Sequence, residues 1–324
     1  MRLKPLCLDI LHSAYFLQTF FRGRAFVSTV SSLVSPQNHS IFILANGPSL
    51  KDDVAPYLAE LSECHTLMMN HSITQNIHKD IRPKYHILLD SVYFVGDTYN
   101  IMAQSDYERV TKEVQELYHS FEQLSYPVEL LVPNIWKDKI HIKNPLITLQ
   151  TFGIAKFKGF DFISRFLFSK AIALPSYCNV LIPSIICCIA MGYKKIYLLG
   201  CDHDWFKGYF VDSHNKFYID YKHFYEEQQT ESNFAKITLT EMLSVDSEIL
   251  RSYHTIQRIF NNISIYNLSS NSAIQAFPRS TLESTLAEIF MGGGAKVRIL
   301  SFYFLLFCFI LITVKRGQYG KVLS

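Results

Sequence analysis

Ile41–Leu50, IFILANGPSL, is the stretch that decides the fold: a short apolar run breaks into Asn-Gly-Pro-Ser and then into a helical pattern. Ile41–Ala45 reads as a buried strand, because it is large, apolar and too short for a helix. Gly47 lets the backbone turn sharply and approach a ligand, having no Cβ to clash. Pro48 has no N–H to lose and suits a first helical position. Ser49 can instead be the N-cap, with Asp52 and Asp53 in the first turn. A strand, a glycine turn and a helix start present free N–H groups to a phosphate. Asn46, Gly47, Pro48 and Ser49 are therefore candidate nucleotide-binding residues.

Working outward, Leu50–Glu63 reads as a helix, His65–Asn70 as a second strand, Tyr85–Leu89 as a third and Val128–Val132 as another, with a long polar helix or pair over 95–125. Strands alternating with helices at this pitch predict βαβ units and a parallel sheet. Val180–Met191 is a nearly all-apolar helix stopped by Gly192, and Ile196–Leu199 follows as a central strand ending in Gly200-Cys201-Asp202-His203. Ligands of open α/β sheets bind outside the carboxyl ends of the strands. Asn46, Asn70, Asp90 and Asp202 each end a predicted strand and are expected on one rim, with Gly200 and His203 beside them. Pro133–Tyr177 is irregular and rich in Phe and Lys, which makes about 133–177 a candidate lid or small subdomain.

Composition bounds the class. With 324 residues, 49% hydrophobic, the chain is large and apolar enough for one α/β domain with a lid. A net charge of +3, with no basic and aromatic residues interleaved, gives no sign of a nucleic-acid partner. Cys7, Cys64, Cys178, Cys187, Cys188, Cys201 and Cys308 are odd in number, form no C-x-x-C pair and sit mostly in apolar runs. They read as reduced and buried, in a cytosolic compartment.

Both ends differ from the body. Residues 1–38 form a basic amphipathic segment carrying Arg2, Lys4, Arg22 and Arg24 around apolar positions, and its interrupted core argues against a signal peptide. Residues 291–324 form a glycine linker and an apolar tail, in which Ile299–Val314 carries no charge and is flanked by Lys296, Arg298, Lys315 and Arg316. As a helix this run reaches roughly 24 Å against a hydrocarbon core of about 30 Å, and its basic flanks can snorkel, so membrane attachment is expected. Residues 39–290 are the expected Rossmann-like domain, with helices on both faces of its sheet.

Asp212–Glu227, DSHNKFYIDYKHFYEE, is dense in His, Tyr and acids. His214 and His223 lack metal-site spacing, and a catalytic His or a tyrosine pair touching phosphate fits better there. G-x-S-x-G, Walker and G-x-G-x-x-G runs do not occur, which weighs against hydrolase, P-loop and dehydrogenase chemistry.

NGPSL at Asn46–Leu50, the strand end at Asn70 and NVLIPSIICCIAMGYKKIYLLGCDHDWF at Asn179–Phe206 together resemble the bacterial sialyltransferases of glycosyltransferase family 42 and the related hydroxymethylpterin diphosphokinase-like domain. The resemblance covers roughly residues 40–230. It implies a single Rossmann-like sheet with a lid and a CMP-sialic acid donor. It also implies that the NGPS turn and Asn70 hold the nucleotide, that a histidine acts as general base and that tyrosines steady the leaving phosphate. Asn46, Gly47, Ser49 and Asn70 match. Asp90 stands where the family has asparagine, the family's Arg-x-x-Ser run is absent, and Asn179 is the nearest polar residue, with Arg165 further upstream. His203 and Trp205 stand where the family carries aromatics. The resemblance makes His223 the candidate base, with Tyr221 and Tyr225 as catalytic partners and Tyr218 as a further phosphate contact. Asp202-His203-Asp204 could hold Mg²⁺, but the resemblance implies no obligatory metal.

The expected function is a glycosyltransferase at the cytoplasmic face of the inner membrane. It would move sialic acid or a related acid sugar from a CMP donor to a cell-surface glycan or lipid-linked acceptor by direct displacement. The alternatives are an ATP-dependent pterin-type pyrophosphotransferase and a non-catalytic nucleotide-binding assembly protein.

Overall fold

The computed structural model describes residues 8–14, 16, 27–30, 40–96, 104–221, 230–233 and 237–291. The chain divides into two units, Met1–Arg279 and Ser280–Ser324.

The first unit is built on a seven-stranded sheet. Its strands are β1 (Ser40–Leu44), β2 (Thr66–Met69), β3 (Tyr85–Ile87), β4 (Val128–Pro133), β5 (Ile147–Phe152), β8 (Lys195–Leu199) and β12 (Ser264–Asn267). The pairs β6 (Ala155–Lys156) with β7 (Ala173–Leu174), and β9 (Tyr209–Val211) with β10 (Phe217–Tyr221) and β11 (Thr230–Asn233), form smaller sheets. The order of the large sheet is β12-β8-β1-β2-β3-β4-β5, and all its pairings are parallel. From β1 the chain steps outward through β2 to β5 on one side, then returns to place β8 and β12 on the other. The switch point therefore lies between β1 and β8, whose register runs from Ser40 opposite Lys195 to Leu44 opposite Leu199.

Buried on both faces, parallel strands read as continuous apolar runs, and Ile41–Leu44 and Thr66–Met69 are wholly buried. The residues of β4 show what covers each face. Leu131 packs in a core with Ile182, Ile185 and Ile186 of α7 (Leu181–Ala190) and Tyr253 and Ile256 of α8 (Leu239–Ile259). Leu130 and Val132 point the other way, to Leu117 and Phe121 of α5 (Gln104–Glu122). Further helices of this unit include α1 (Ser49–Val54), α2 (Leu58–Ser62), α3 (Asn76–Ile81), α4 (Val92–Val95) and α6 (Asp161–Phe168). The second unit holds α9 (Leu282–Met291), whose first turn is closed by the Ser284 N–H donating to Thr281 Oγ1 at 3.2 Å.

Several expectations are corrected here. The helix expected over Leu50–Glu63 is two short helices joined by a 3₁₀ turn at Ala55–Tyr57, where Pro56 removes a backbone donor. The candidate lid over 133–177 contains β5, which pairs along its whole length with β4 as a sheet edge, so that part of the segment belongs to the main layer. Cys187, Cys188 and Cys201 are buried, but Cys64 is only partly so and Cys178 is exposed. Of the basic N-terminal segment, 8–14 and 16 are helical. The apolar tail at Ile299–Val314 lies outside the described residues, and among those described no helix is long and apolar enough to cross a membrane.

Candidate functional site

At the carboxyl ends of β1, β2, β3 and β8 lies a cavity of about 470 Å³. Asn46, Gly47, Pro48, Asn70, Asp90, Asn179, Gly200, Asp202 and His203 all line it, so the structure brings these sequence candidates together around one space. Cys178, Asp204, Trp205, Lys207, Gly208 and Asp220 complete much of the wall.

The turn after β1 is not the open phosphate cradle that its sequence predicts. The Gly47 N–H donates to the Gly200 carbonyl at 2.8 Å, and the Leu50 N–H to the Gly47 carbonyl at 3.0 Å. The Ser49 N–H donates to Asp202 Oδ2 at 2.9 Å, and the Ser49 hydroxyl to Asp202 Oδ1. Ser49 is thus the first residue of α1 rather than its N-cap, and its side chain faces a carboxylate far along the chain. Asp202, 2% exposed, supplies from within the protein the anion that this helix start would otherwise take from a ligand. Burial raises the Asp202 carboxyl pKa, and the two Ser49 bonds only partly offset this. Gly47 is required by the same contact: a Cβ there would lie 2.4 Å from the Gly200 carbonyl oxygen. Gly200 itself has φ +63°, which glycine adopts without a Cβ penalty.

The rim after β2 and β3 is different. Asn70 sits in the left-handed region at φ +50° and donates from Nδ2 to Asp90 Oδ2 at 2.9 Å. Asp90 is exposed to the cavity, yet the protein crowded around it pushes its carboxyl up to about 6. Asn46 Nδ2 reaches the Met69 carbonyl at 3.4 Å, and its buried Oδ1 has no partner among the described residues.

On the opposite wall, His203 is 7% exposed with φ +52°, a left-handed conformation that histidine tolerates better than most side chains. Its ring packs on Trp205 with centroids 4.5 Å apart, and its Nδ1 lies 3.3 Å from the Tyr253 hydroxyl. Burial lowers its pKa to about 3, against a smaller opposing pull from Asp204, so this imidazole is neutral. Asn179 Oδ1 accepts the Leu181 N–H at the start of α7 (2.7 Å) and the Tyr253 hydroxyl (3.4 Å). Asp204 is raised by burial but lowered further by Lys207 and Asn271, each 2.9 Å away, and ends below the usual carboxylate range. Among the described residues no group of three or more His, Cys, Asp or Glu is placed to hold a metal ion. In Asp202-His203-Asp204 one carboxylate turns to Ser49 and the other to Lys207, so the run does not converge.

His223 and Tyr225 lie outside the described residues, and Tyr221 is described only as the end of β10. Tyr218 stacks on Phe210 and donates to Asp212 at 3.2 Å, away from the cavity wall. His214 is exposed in the turn between β9 and β10. The sequence reading missed Tyr253 and Asp220. α8, which carries Tyr253, opens with a capping box at Thr238 and Glu241, a four-residue signal visible in the sequence. Asp220 lies on β10, which pairs with β9, and lines the cavity, and nothing local announces that.

No family model matches the chain, and no curated protein matches it in sequence. Among solved structures it is similar to the MAf glycosyltransferase from Magnetospirillum magneticum AMB-1, at 14% identity and a TM-score of 0.44 over 81% of this chain. It is also similar to a mammalian sialyltransferase in complex with Gal-beta-1-3GalNAc-ortho-nitrophenol, at 12% identity and a TM-score of 0.34, over 78% of this chain and 84% of that one. The chain spans 38% of the length of the MAf enzyme, and both likenesses are distant.

Proposed function

We propose that the protein is a glycosyltransferase that binds a nucleotide-activated sugar in the switch-point cavity and passes the sugar to an acceptor hydroxyl. The observation that carries this reading is the convergence of Asn46, Asn70, Asp90 and Asn179 with the His203–Trp205 ring pair around one space at the ends of the central strands. Carboxamides and a carboxylate recognise ribose and sugar hydroxyls, and an aromatic wall suits a flat base or a sugar face. About 470 Å³ lies within the roughly 300–1,000 Å³ of small-molecule sites. With the N–H groups of Gly47 and Ser49 engaged inside the protein, the phosphate is met by side-chain amides and by Lys207 rather than by the turn.

Within this reading the donor is CMP-activated sialic acid or a related acid sugar, as the resemblance of NGPSL and the Asn179–Phe206 segment implies. The acceptor is a glycan or lipid-linked glycan, and the tail at Ile299–Val314 holds residues 39–290 at a membrane. The test is incubation of the full chain with CMP-, UDP- and GDP-sugars and with ATP, following nucleotide release. Release from a CMP-sugar that rises with an added glycan acceptor is expected. Release of AMP from ATP with a pterin would replace this reading, and bound nucleotide without turnover would make the protein a binding module.

A further inference from the structure

Behind the rim a chain of hydrogen bonds runs through the protein and ends at Asp90. The Tyr126 hydroxyl lies 2.6 Å from His78 Nδ1, and His78 Nε2 lies 3.2 Å from His86 Nδ1. His86 Nε2 lies 2.9 Å from the Asn70 carbonyl oxygen, and Asn70 Nδ2 donates to Asp90 Oδ2 at 2.9 Å. Both imidazoles are fully buried, and burial lowers their pKa values, that of His86 to about 3.

The direction of the chain follows from valence. A carbonyl only accepts, and a neutral imidazole carries one N–H. His86 therefore holds its proton on Nε2, toward Asn70, and its bare Nδ1 accepts from His78 Nε2–H. His78 Nδ1 is then bare and faces the Tyr126 hydroxyl, whose one proton is shared between this nitrogen and the His78 backbone carbonyl oxygen 2.9 Å away. Both imidazole N–H groups point toward Asn70, and bonds aligned in this way polarise one another. Their target is the residue at φ +50°, whose backbone carbonyl is pinned by His86 and whose side chain grips one oxygen of Asp90. The other oxygen, Oδ1, has no protein partner among the described residues and belongs to a side chain open to the cavity.

Resting on the transferase reading above, we infer that Asp90 is the general base for the acceptor hydroxyl, and that His86, with His78 and Tyr126, positions it through Asn70. In the step, Asp90 Oδ1 takes the hydroxyl proton as the hydroxyl oxygen bonds to the anomeric carbon of the donor. The bond from that carbon to the phosphate oxygen breaks, its electron pair leaves with the nucleotide, and Asp90 later returns the proton to solvent. The rival described group, His203, is a weak base in its buried setting, whereas a carboxyl pushed up to about 6 is matched to work near neutral pH.

The test compares variants in the full chain. Asp90→Asn is expected to lower turnover by about 10²–10⁴, the usual loss for a positioned base, as a fall in kcat at saturating donor. The wild-type rate should rise with pH through about 6, and this limb should vanish in Asp90→Asn. Asp202, Asp204, Asp220, His203, Lys207 and Cys178 share the cavity, so the limb belongs to Asp90 only if this variant removes it. His86→Phe should lower kcat by roughly 2–10-fold and move the limb while leaving the donor KM in place, His86→Gln should recover part of it, and Tyr126→Phe should give a smaller shift in the same direction. A readout free of activity accompanies these. A carboxyl raised in the folded state stabilises at low pH and loses that contribution as pH rises through about 6. The melting temperature of the wild type should therefore fall relative to that of Asp90→Asn between pH about 4 and about 6.5. Full turnover in Asp90→Asn by an active wild type overturns the assignment of the base. A His86→Phe loss that leaves the limb unmoved makes the imidazole chain architectural. A wild type that turns over no nucleotide sugar overturns the transferase reading, and the catalytic role of Asp90 with it.

Discussion

Two corners of the same rim carry the same kinds of residue and do opposite things. After β1, Asn46–Ser49 forms a polar turn in which the N–H groups of Gly47, Ser49 and Leu50 are all bonded within the protein. After β2 and β3, Asn70 and Asp90 form a polar pair that leaves a carboxylate facing the cavity. The cause is topological. β1 and β8 are neighbours at the switch point, so the turns that leave them collide, and Gly200–Asp202 closes over Gly47–Ser49. β2 and β3 run on the far side of β1, where Ile73 of the Asn70–Thr74 turn packs with Leu117 and Phe121 of α5. A polar residue at a strand end thus marks the rim, but its partners decide whether it builds the protein or binds a ligand.

The largest effect that tests this contrast belongs to the closed corner. Gly47→Val places a Cβ 2.4 Å from the Gly200 carbonyl oxygen and 2.8 Å from the Asp202 carboxyl carbon. Stability without ligand should drop toward the upper end of the roughly 1–3 kcal/mol that overpacking costs, measured as the thermal midpoint of the unliganded protein. An unchanged midpoint together with lost nucleotide protection would return this turn to phosphate binding. Asp202→Ala comes next. It leaves the Ser49 N–H and hydroxyl without their carboxylate, and should shift urea unfolding by about 1.5–3 kcal/mol. A neutral result would mean that Asp202 faces the ligand after all. The smallest effect is at the open corner. Glycine accepts the φ of Asn70, so Asn70→Gly should change stability by less than about 1 kcal/mol. Turnover should fall by up to about tenfold, read by steady-state kinetics, because Asp90 loses the amide that holds it. A collapse in stability there would erase the distinction between the corners.

The strands on either side of the switch were legible because fully buried parallel strands need unbroken apolar runs, and Ile41–Leu44 and Ile196–Leu199 are such runs. Gly47 is legible as a residue that must be glycine, and beside the reason read for it, approach of a phosphate, the fold supplies a second, approach of the Gly200 carbonyl. β5 is hidden in a segment that reads as a lid because Thr148, Gln150 and Thr151 interrupt its apolar residues, as an edge strand permits. β12 and α8 were not read at all, although α8 carries a capping box and buries Ile249, Tyr253 and Ile256 along one face.

By itself the sequence determined what depends on neighbours along the chain: which runs are apolar, where the backbone must bend, and therefore that Asn46, Asn70, Asp90 and Asp202 end strands of one parallel sheet. Which of their groups are free depends on contacts between residues far apart along the chain. Ser49 meets Asp202 across 153 positions, Tyr126 meets His78 across 48, and His203 meets Tyr253 across 50. Hydrogen bonds between such distant residues form only when the sheet brings its strand ends together, and a donor's local sequence carries no mark of the acceptor it will find.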